Sequence, residues 1–344
     1  MRSRADRAGL APTRVYLVRH GQSTFNREQR FQGCSDEPVL TEAGVAATVL
    51  LGRHLARQRF DVILTSPLRR ARQTAGILCS ALDGASPFVV IEDLEEMRLG
   101  VWQGLSMETV RHRFPEDWHV WQHCPHQLEI PASDGTVFSP IRNLFEQARR
   151  FWREFLHRHG GETALLVTHG GTARALLATA TGIGMEQFPS LQHSNCGISI
   201  LEFPAGGGNA RWEVLNLTAH LGERTPKLKQ GKRGVRVLLS AGGRPGHAFS
   251  ADFASCAADS ASAACWEETV ETCLRHGSEA GVVSTGIFTA PHGVLSDWLS
   301  NALRIPRDHC PWKPFGSAVV HYPAPGRRPI VQTLLPAAWE GAQL

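Results

Sequence analysis

The sequence of 344 residues has no apolar run that approaches the roughly 18 residues of a membrane-spanning helix. Its first residues, MRSRADRAGLAPTR, are charged and lack an apolar core, so they predict a frayed leader and no secretory signal. The eight cysteines form no C-x-x-C pair, which favours reduced thiols over a disulfide framework or a zinc site. We therefore expect a cytoplasmic protein with no metal and no membrane partner.

A strong excess of charge is also absent. The net charge is +4 and the basic residues are scattered along the chain, which argues against a dedicated nucleic-acid surface. A hydrophobic content of 42% and a charged content of 20% are typical of a globular protein. The length exceeds the size of one modest domain, so we expect two domains.

The first part of the chain alternates apolar strands with helices. The predicted strands are VYLV (15–18), DVILTS (61–66), PFVVI (87–91) and ALLVT (164–168), and helices are predicted over 42–58, 68–82 and 141–160 and from about 171. Thr41 is the predicted N-cap of the first helix, and Ser66, followed by Pro67, is that of the second. This order predicts an α/β three-layer sandwich with a mostly parallel sheet.

The tail of the chain repeats part of this pattern. GERTPKLKQGKRG (222–234) has Gly, Pro and charge without periodicity, which is typical of a linker. Beyond it, RVLLSAGGRP (236–245) parallels RVYLVRHGQS (14–23), and helices of similar apolar spacing follow both. A chance match is the alternative, but the order of the matching pieces favours a repeat. The predicted organisation is a catalytic domain over 14–221, a linker over 222–235 and a truncated repeat over 236–344.

Two of the predicted strands end in a histidine that is followed by glycine. LVRHG delivers Arg19 and His20 into a turn, and VTHGG delivers His169. Ligands bind at the carboxyl ends of strands in open α/β sheets. One such histidine is more often structural. Two of them favour a functional site, because each is followed by a glycine that lets a reacting group approach the backbone.

Other residues in this part of the chain suit an anionic ligand. SPLRRARQTA places Arg69 and Arg70 in the first turn of a helix, where backbone N–H groups and the helix dipole favour an anion. The guanidinium group of arginine can donate two parallel hydrogen bonds to phosphate oxygens. Taken alone, however, these two arginines are explained better by a solvent-exposed basic helix face than by a phosphate site. LEEMRLGVWQG supplies Glu95 and Glu96. A carboxyl group beside a phosphate is repelled unless it is protonated, which prepares it as the general acid for a leaving alcohol.

The pieces RHGQSTFN, LTEAG, TSPLRRARQTA, LEEMRLGVWQGL and VTHGG follow one another between residues 14 and 220. In this order they resemble the histidine phosphatase superfamily, also called the phosphoglycerate mutase-like family. The end of the first domain and the linker also resemble the two-domain members of photosynthetic organisms, which include 2-carboxyarabinitol 1-phosphatases. That resemblance implies a sugar-phosphate or sugar-acid phosphate substrate and no cofactor.

The resemblance implies roles for five residues. His20 would attack phosphorus and carry a transient phosphoryl group. Arg19, Arg70 and His169 would form the cationic pocket around that group. Glu96, chosen over its neighbour by its place in the family phrase, would protonate the leaving oxygen and then activate water. The arginines and histidines would supply the positive charge that phosphoryl transfer needs.

Weaker candidates surround these five residues. The neighbouring phrases suggest Asn26 as a further phosphate contact and four further contacts with the substrate: Gln32, Gly33, Ser23 and Asn195. The last two fit a turn or a strand end equally well. Arg174 points from a helix, and a packing or salt-bridge role is expected for it.

The segment 105–137 bears on the choice between phosphatase and mutase. A mutase must keep its phosphoenzyme dry, and covering segments provide that exclusion of water. This segment is rich in Trp and His and differs from the mutase lid, which favours a phosphatase acting on a small phosphorylated metabolite. Its candidate substrate contacts are Arg111, Arg113, His119, His123 and His126, and solvated side chains are an equal alternative for each. A phosphoglycerate mutase and a non-catalytic protein that binds a phosphometabolite remain the alternative functions.

The tail lacks the chemistry of the first part. Ala241 and Gly242 stand where Arg19 and His20 stand in the first copy. Pro291 takes the position of His169 if the two apolar helices are aligned, and a slip of one residue would place His292 there instead. Nothing like the SPLRRARQTA or LEEMRLG phrases occurs in it. We therefore predict that the tail is catalytically inert. The first domain and a second copy of the chain, in a homodimer, are the alternative partners for its sheet face.

Overall fold

The computed structural model describes residues 11–84, 87–132, 134–223, 225–228, 234–241, 254–255, 284–324 and 327–337. These residues belong to two compact units. The first runs to Phe188 and includes His193–Arg211, and the second contains Pro189–Gln192 and the chain from Trp212 onward. This division falls earlier than the linker predicted at 222–235, because Leu215 pairs with Leu334 of the tail.

The first unit is built on a mostly parallel sheet. Its strands are β1 (Thr13–Arg19), β2 (Val62–Thr65), β3 (Val89–Val90), β4 (Ile130–Pro131), β5 (Val137–Phe138), β6 (Thr163–Thr168) and β7 (Ile198–Phe203). The spatial order is β7-β1-β6-β2-β3, with β4 and β5 in a separate hairpin. Within the sheet only β7 is antiparallel to its neighbour. The predicted α/β class with a mostly parallel sheet is confirmed.

Helices connect these strands and pack beside the sheet. They are α1 (Thr24–Arg27), α2 (Glu42–Leu55), α3 (Arg69–Ala81), α4 (Met107–Arg113), α5 (Pro115–His123), α6 (Pro140–His159) and α7 (Gly170–Thr181). α2 packs against α3, and α6 packs against α7. The apolar run of β1 is buried, as its lack of polar alternation predicts. The three long predicted helices agree with α2, α3 and α6 to within three residues at each end.

The two predicted helix caps have different outcomes. The hydroxyl of Thr41 accepts a hydrogen bond from the backbone N–H of Gly44 at 3.0 Å, so the predicted cap of α2 is confirmed. α3 begins at Arg69, and its N-cap is Leu68, whose side chain cannot accept a hydrogen bond. The predicted cap at Ser66 is therefore wrong, because the chain needs two further residues to turn from β2 into the helix.

The start of α2 supports the turn that follows β1. The backbone N–H of Thr41 donates to the carbonyl oxygen of Gln22 at 2.9 Å. A Cβ atom on Gly44 would lie 2.1 Å from that same oxygen. Only glycine allows this approach, so the glycine of the LTEAG phrase fixes where the turn sits.

The segment 105–137 forms α4, α5 and the β4–β5 hairpin. Trp121 of α5 packs against Phe31 and against the fully buried Trp102, with both pairs of ring centroids 5.9 Å apart. Trp121 is half-buried, so the segment packs onto the core through one face of an aromatic ring. Its candidate substrate contacts are mostly exposed, and their roles stay predictions: Arg111, Arg113, His119, His123 and His126.

The second unit has its own sheet. Its elements are β8 (Arg211–Leu217), β9 (Val235–Ser240), β10 (Ala254–Ser255), β11 (Ser284–Thr289), α8 (His292–Leu303), β12 (Ser317–Tyr322) and β13 (Ile330–Leu335), and the strand order is β10-β11-β9-β12-β13-β8. β9 pairs in parallel with β11 and antiparallel with β12. Gly242 lies outside the described residues, as do residues 266–275, whose sequence also predicts a helix.

Among the described residues, none of the helices has the length and apolar character that a helical crossing of a bilayer needs.

Two glycine substitutions in neighbouring helices should have opposite effects on stability. Gly44→Ala should lower the free energy of unfolding by about 1–3 kcal/mol, because its methyl group would overlap the Gln22 carbonyl. In α3, a Cβ on Gly76 meets no described atom within 4 Å, so Gly76→Ala should raise stability by about 0.5–1 kcal/mol through helix propensity. Urea unfolding of both variants measures these changes. Equal effects would contradict the assigned contact.

Candidate active site

The register of the parallel strands brings the two histidines together. Arg19 at the end of β1 pairs with Thr168 at the end of β6, so His20 and His169 leave the sheet side by side. The N–H of His20 donates to the carbonyl oxygen of Thr168 at 2.9 Å, and the two imidazole centroids are 5.1 Å apart. Both rings are almost completely buried. The pairing predicted from the two His-Gly phrases therefore has a geometric basis.

His20 is held as a neutral imidazole with one free nitrogen. Its Nδ1 lies 2.6 Å from the carbonyl oxygen of Gly21, which can only accept, so Nδ1 carries the proton. The lone pair is then on Nε2. Burial, together with the charges of Arg70 and Arg19, holds the pKa of His20 well below its usual value. A neutral ring with an unshared lone pair is a competent nucleophile.

Arg70 contributes a buried positive charge. Its side chain is fully buried, and its two Nη groups donate to the carbonyl oxygens of Ser35 at 2.7 Å and Gly33 at 2.9 Å. Its Nε is buried without a hydrogen-bond partner among the described residues. Burial lowers its pKa to about 10, which leaves it charged at neutral pH. Gly33 therefore serves the site through its carbonyl group, at a positive φ of 51°.

Arg19 supplies a second guanidinium group. Its Nη1 donates to the carbonyl oxygen of His193 at 2.9 Å, while its Nε, like that of Arg70, is buried and has no partner in the described ranges. The guanidinium carbon would lie 3.1 Å from a Cβ on Gly170, so the first glycine of VTHGG makes room for the charge. Two guanidinium groups with unsatisfied N–H donors suit a phosphate.

His169 lies beside His20, and its role in a phosphate pocket stays a prediction. Burial and the nearby charges, chiefly that of Arg70, hold its pKa well below its usual value. It is therefore neutral in the free protein, and the positive charge of the pocket comes from Arg19 and Arg70. Its Nε2 lies 2.7 Å from the hydroxyl oxygen of Ser66, and its Nδ1 is buried without a partner in the described structure.

Glu96 is anchored at the N-terminus of α7. Its carboxylate accepts hydrogen bonds from the backbone N–H groups of Gly171 at 2.9 Å and Thr172 at 3.1 Å, and from that of Met97 at 2.9 Å. A Cβ on Gly171 would lie 2.3 Å from one of its oxygens. Both glycines of VTHGG thus allow a close approach, one to Arg19 and the other to Glu96. Glu95 instead offers its backbone carbonyl to the Thr172 hydroxyl at 2.6 Å.

The weaker candidates form a network around the turn after β1. The amide nitrogen of Asn195 donates to the carbonyl oxygen of His20 at 2.9 Å and to Oδ1 of Asn26 at 3.1 Å. Ser23 caps α1 together with Asn26, and its hydroxyl donates to Oε1 of Gln32 at 2.7 Å. These contacts hold the turn in place, and direct contact of these residues with a substrate stays a prediction.

Arg174 has the packing role that was expected for it. Its Nε donates to the carbonyl oxygen of Gly170 at 3.0 Å, and its guanidinium group stacks 3.9 Å from the ring centroid of Phe188. Sequence reasoning missed the parts played by His193, Ser66 and Thr172. A backbone carbonyl such as that of His193 leaves no signal in residue type.

Comparison with known proteins agrees with this geometry. The sequence model of the histidine phosphatase superfamily (branch 1) matches residues 15–217. The chain belongs to the histidine phosphatase superfamily. Curated phosphatases and phosphoglycerate mutases both match it. The match thus identifies the family.

The curated relatives include proteins that are phosphatases by name. A probable 2-carboxy-D-arabinitol-1-phosphatase from Arabidopsis thaliana is 41% identical over 204 residues, which are 59% of this chain and 41% of that protein. Phosphoserine phosphatase 1 from Hydrogenobacter thermophilus is 32% identical over 216 residues, which cover 61% of this chain and 95% of that protein. The chain thus spans about two fifths of the length of the first relative.

A solved structure of similar fold is Bacillus stearothermophilus YhfR, with 30% identity and a TM-score of 0.54. The match covers 60% of this chain and 99% of that one.

Stability should fall as the pH drops below about 6.5. His20, His169 and His193 bind protons near that pH when unfolded, whereas burial keeps all three neutral in the fold, with the pKa of His193 at about 3. The unfolded state then binds more protons, and each histidine contributes about 1.4 kcal/mol of lost stability per pH unit. Urea unfolding between about pH 7 and pH 5 measures the slope. His193→Gln should reduce it by one histidine's share, and an unchanged slope would contradict the burial argument.

Proposed function

We propose that this chain is a phosphatase that hydrolyses a small phosphorylated metabolite through a phosphohistidine on His20, without a metal. The main observation in support is that His20 is a neutral imidazole with a free lone pair on Nε2. It lies near two guanidinium groups whose Nε donors have no hydrogen-bond partner within the described structure. This arrangement attracts the phosphoryl oxygens and leaves the nucleophile uncharged. It supports nucleophilic attack on phosphorus.

In the first half-reaction, Nε2 of His20 forms a bond to phosphorus while the bond from phosphorus to the substrate oxygen breaks. Glu96 gives a proton to the departing oxygen. Arg19 and Arg70 stabilise the negative charge on the phosphoryl oxygens, since both are held by backbone carbonyls in fixed positions. The products of this step are an alcohol and the phosphoenzyme.

In the second half-reaction, water attacks phosphorus and gives a proton to Glu96. The bond between phosphorus and Nε2 breaks, and inorganic phosphate leaves with His20 restored as a neutral ring. The anchoring of Glu96 by the first N–H groups of α7 keeps one carboxyl group in position for both proton transfers.

A sugar phosphate or sugar-acid phosphate is the proposed substrate class. The name of the Arabidopsis relative supports it, because that name describes a phosphorylated sugar acid. Arg19 and Arg70 donate to backbone carbonyls in the described structure, and two buried guanidinium groups held in this way favour an anionic ligand. A phosphoglycerate mutase is the second candidate, because curated mutases match the chain as well.

We also propose that the second unit is a degenerate repeat without an active site. β9 lies between a parallel and an antiparallel neighbour, as β1 does, and pairs Val237 with Gly286 as β1 pairs Val15 with Ala164. α7 and α8 each have 12 residues and follow the corresponding strands. In this register Pro291 takes the place of His169, which agrees with the alignment of the sequence.

Loss of His20 should remove both turnover and the phosphoenzyme. His20→Gln should lower kcat/KM for a phosphorylated sugar acid by about 10³-fold or more, since no other nucleophile replaces it. Acid quenching of wild type with radiolabelled substrate should trap an acid-labile phosphoenzyme that the variant lacks. His157→Gln, at an exposed position on α6, is the matched control. Residual labelling of His20→Gln would point to a second nucleophile and contradict an inert tail.

An assay of the wild-type protein distinguishes a phosphatase from a phosphoglycerate mutase and from a non-catalytic binding protein. With phosphoglycerate, a phosphatase releases inorganic phosphate, whereas a mutase exchanges the position of the phosphoryl group. A binding protein would do neither. Isomer exchange without phosphate release would overturn the proposal in favour of a mutase.

Two adjacent arginines of α3 should respond differently to the same change. Arg70→Lys should lower kcat/KM by about 10²-fold, because an ammonium group cannot donate to two carbonyls and a phosphate in the plane that a guanidinium offers. Arg69 is exposed, and Arg69→Lys should stay within about twofold of wild type. Steady-state kinetics on both variants test this. Similar losses would refute a specific role for Arg70.

A further inference from the structure

Ser66 lies at the end of β2 and is not used as the helix cap that its sequence suggested. It is fully buried. Its hydroxyl oxygen is 2.7 Å from Nε2 of His169 and 3.2 Å from the backbone nitrogen of Leu68. The hydroxyl therefore links the turn into α3 with the second histidine of the site.

The position of the hydroxyl hydrogen follows from the two contacts. The Leu68 N–H is a donor, so it occupies one lone pair of the Ser66 oxygen. The hydroxyl hydrogen then needs an acceptor, and Nε2 of His169 is the acceptor within reach among the described residues. If Nε2 carried a proton instead, the oxygen would accept twice and its own hydrogen would be buried unpaired, at a cost of about 1–3 kcal/mol.

The ring of His169 has a single proton to place. Burial and the charge of Arg70 lower its pKa well below the usual value, so the neutral form is present at physiological pH. A neutral imidazole donates from one nitrogen and accepts at the other, and the partner of one nitrogen decides the state of both. With Nε2 accepting from Ser66, the proton lies on Nδ1, which is buried without a partner in the described part of the chain.

We propose that Ser66 is a positioning residue that fixes the tautomer of His169, so that its Nδ1–H donates to the phosphoryl oxygens. This inference rests on the proposed phosphatase function. His20 has the same tautomer, because its Nδ1–H is bound by the Gly21 carbonyl. The two rings then present opposite edges to the substrate: the lone pair of His20 meets phosphorus, and the N–H of His169 meets oxygen.

The wrong tautomer of His169 would direct a second lone pair at the anionic phosphoryl group. That would replace an attractive hydrogen bond by repulsion, which is strongest where negative charge develops in the transition state. Ser66→Ala should therefore lower kcat by about 10- to 100-fold with little change in KM. Ser66→Thr retains the hydroxyl and should recover most of the activity. The matched control is Thr65→Val, which removes a buried neighbouring hydroxyl that donates to the backbone carbonyl oxygen of Ser66 at 3.4 Å.

Nitrogen NMR of protein labelled with ¹⁵N-histidine tests the tautomer directly in the resting protein. In wild type, the His169 signals should show a protonated Nδ1 and an unprotonated Nε2, with His169→Gln used for assignment. In Ser66→Ala the proton should shift towards Nε2. A protonated Nε2 in wild type, or an unchanged spectrum in Ser66→Ala, overturns the proposal.

The NMR spectrum does not depend on turnover. It therefore distinguishes a failure of the proposed phosphatase function from a failure of the proposed role of Ser66. An inactive wild-type protein with the expected tautomer would refute the phosphatase function and leave the role of Ser66 in the resting site intact. An active protein with the opposite tautomer would do the reverse. If Ser66→Ala does not fold, the wild-type spectrum still decides.

Discussion

The neighbouring carboxyl ends of three parallel strands are the constraint on which the site depends. β1, β6 and β2 pair in a register that sets Arg19 beside Thr168 and Thr65 beside Val167. The residue that follows each strand therefore emerges at the same edge of the sheet, and these residues are His20, His169 and Ser66. A slip of one residue in any pair would send one of these side chains to the opposite face. Backbone hydrogen bonds thus set the spacing of the imidazole rings.

This edge also has to accommodate buried positive charge. Arg70 and Arg19 are held by backbone carbonyls, which stabilise a guanidinium group without neutralising it. A carboxylate partner would compete with an anionic ligand, whereas a carbonyl leaves the full charge available. The same field disfavours a proton on either histidine, so the arginines help to keep His20 nucleophilic. Positive charge and a neutral nucleophile are therefore two consequences of one arrangement.

The sequence predicts much of this fold and part of this site, for physical reasons that differ between residues. β1 is predictable because a buried parallel strand requires an uninterrupted apolar run. His20 and His169 are predictable because glycines after strand ends mark close approaches to the backbone. The carbonyl of His193 is not predictable, since every residue has one. Ser66 was assigned to the wrong contact, because Ser-Pro is a helix-start signal wherever it occurs and its hydroxyl finds an imidazole only in three dimensions.

The proposed repeat in the second unit separates what holds the fold from what performs the chemistry. β9 has the same kinds of strand neighbours as β1, and α8 has the same length as α7. The C-cap residue of each helix has a left-handed backbone conformation, and it is Gly182 after α7 and Arg304 after α8. Such features depend on backbone hydrogen bonds and apolar side chains, which tolerate many substitutions. The reactive side chains have no such tolerance: Ala241 cannot replace a guanidinium group, and Pro291 has no ring nitrogen to offer. Strand pairing can therefore persist in a unit whose ancestral site is gone, and the persistence of a fold is by itself no argument for the persistence of activity.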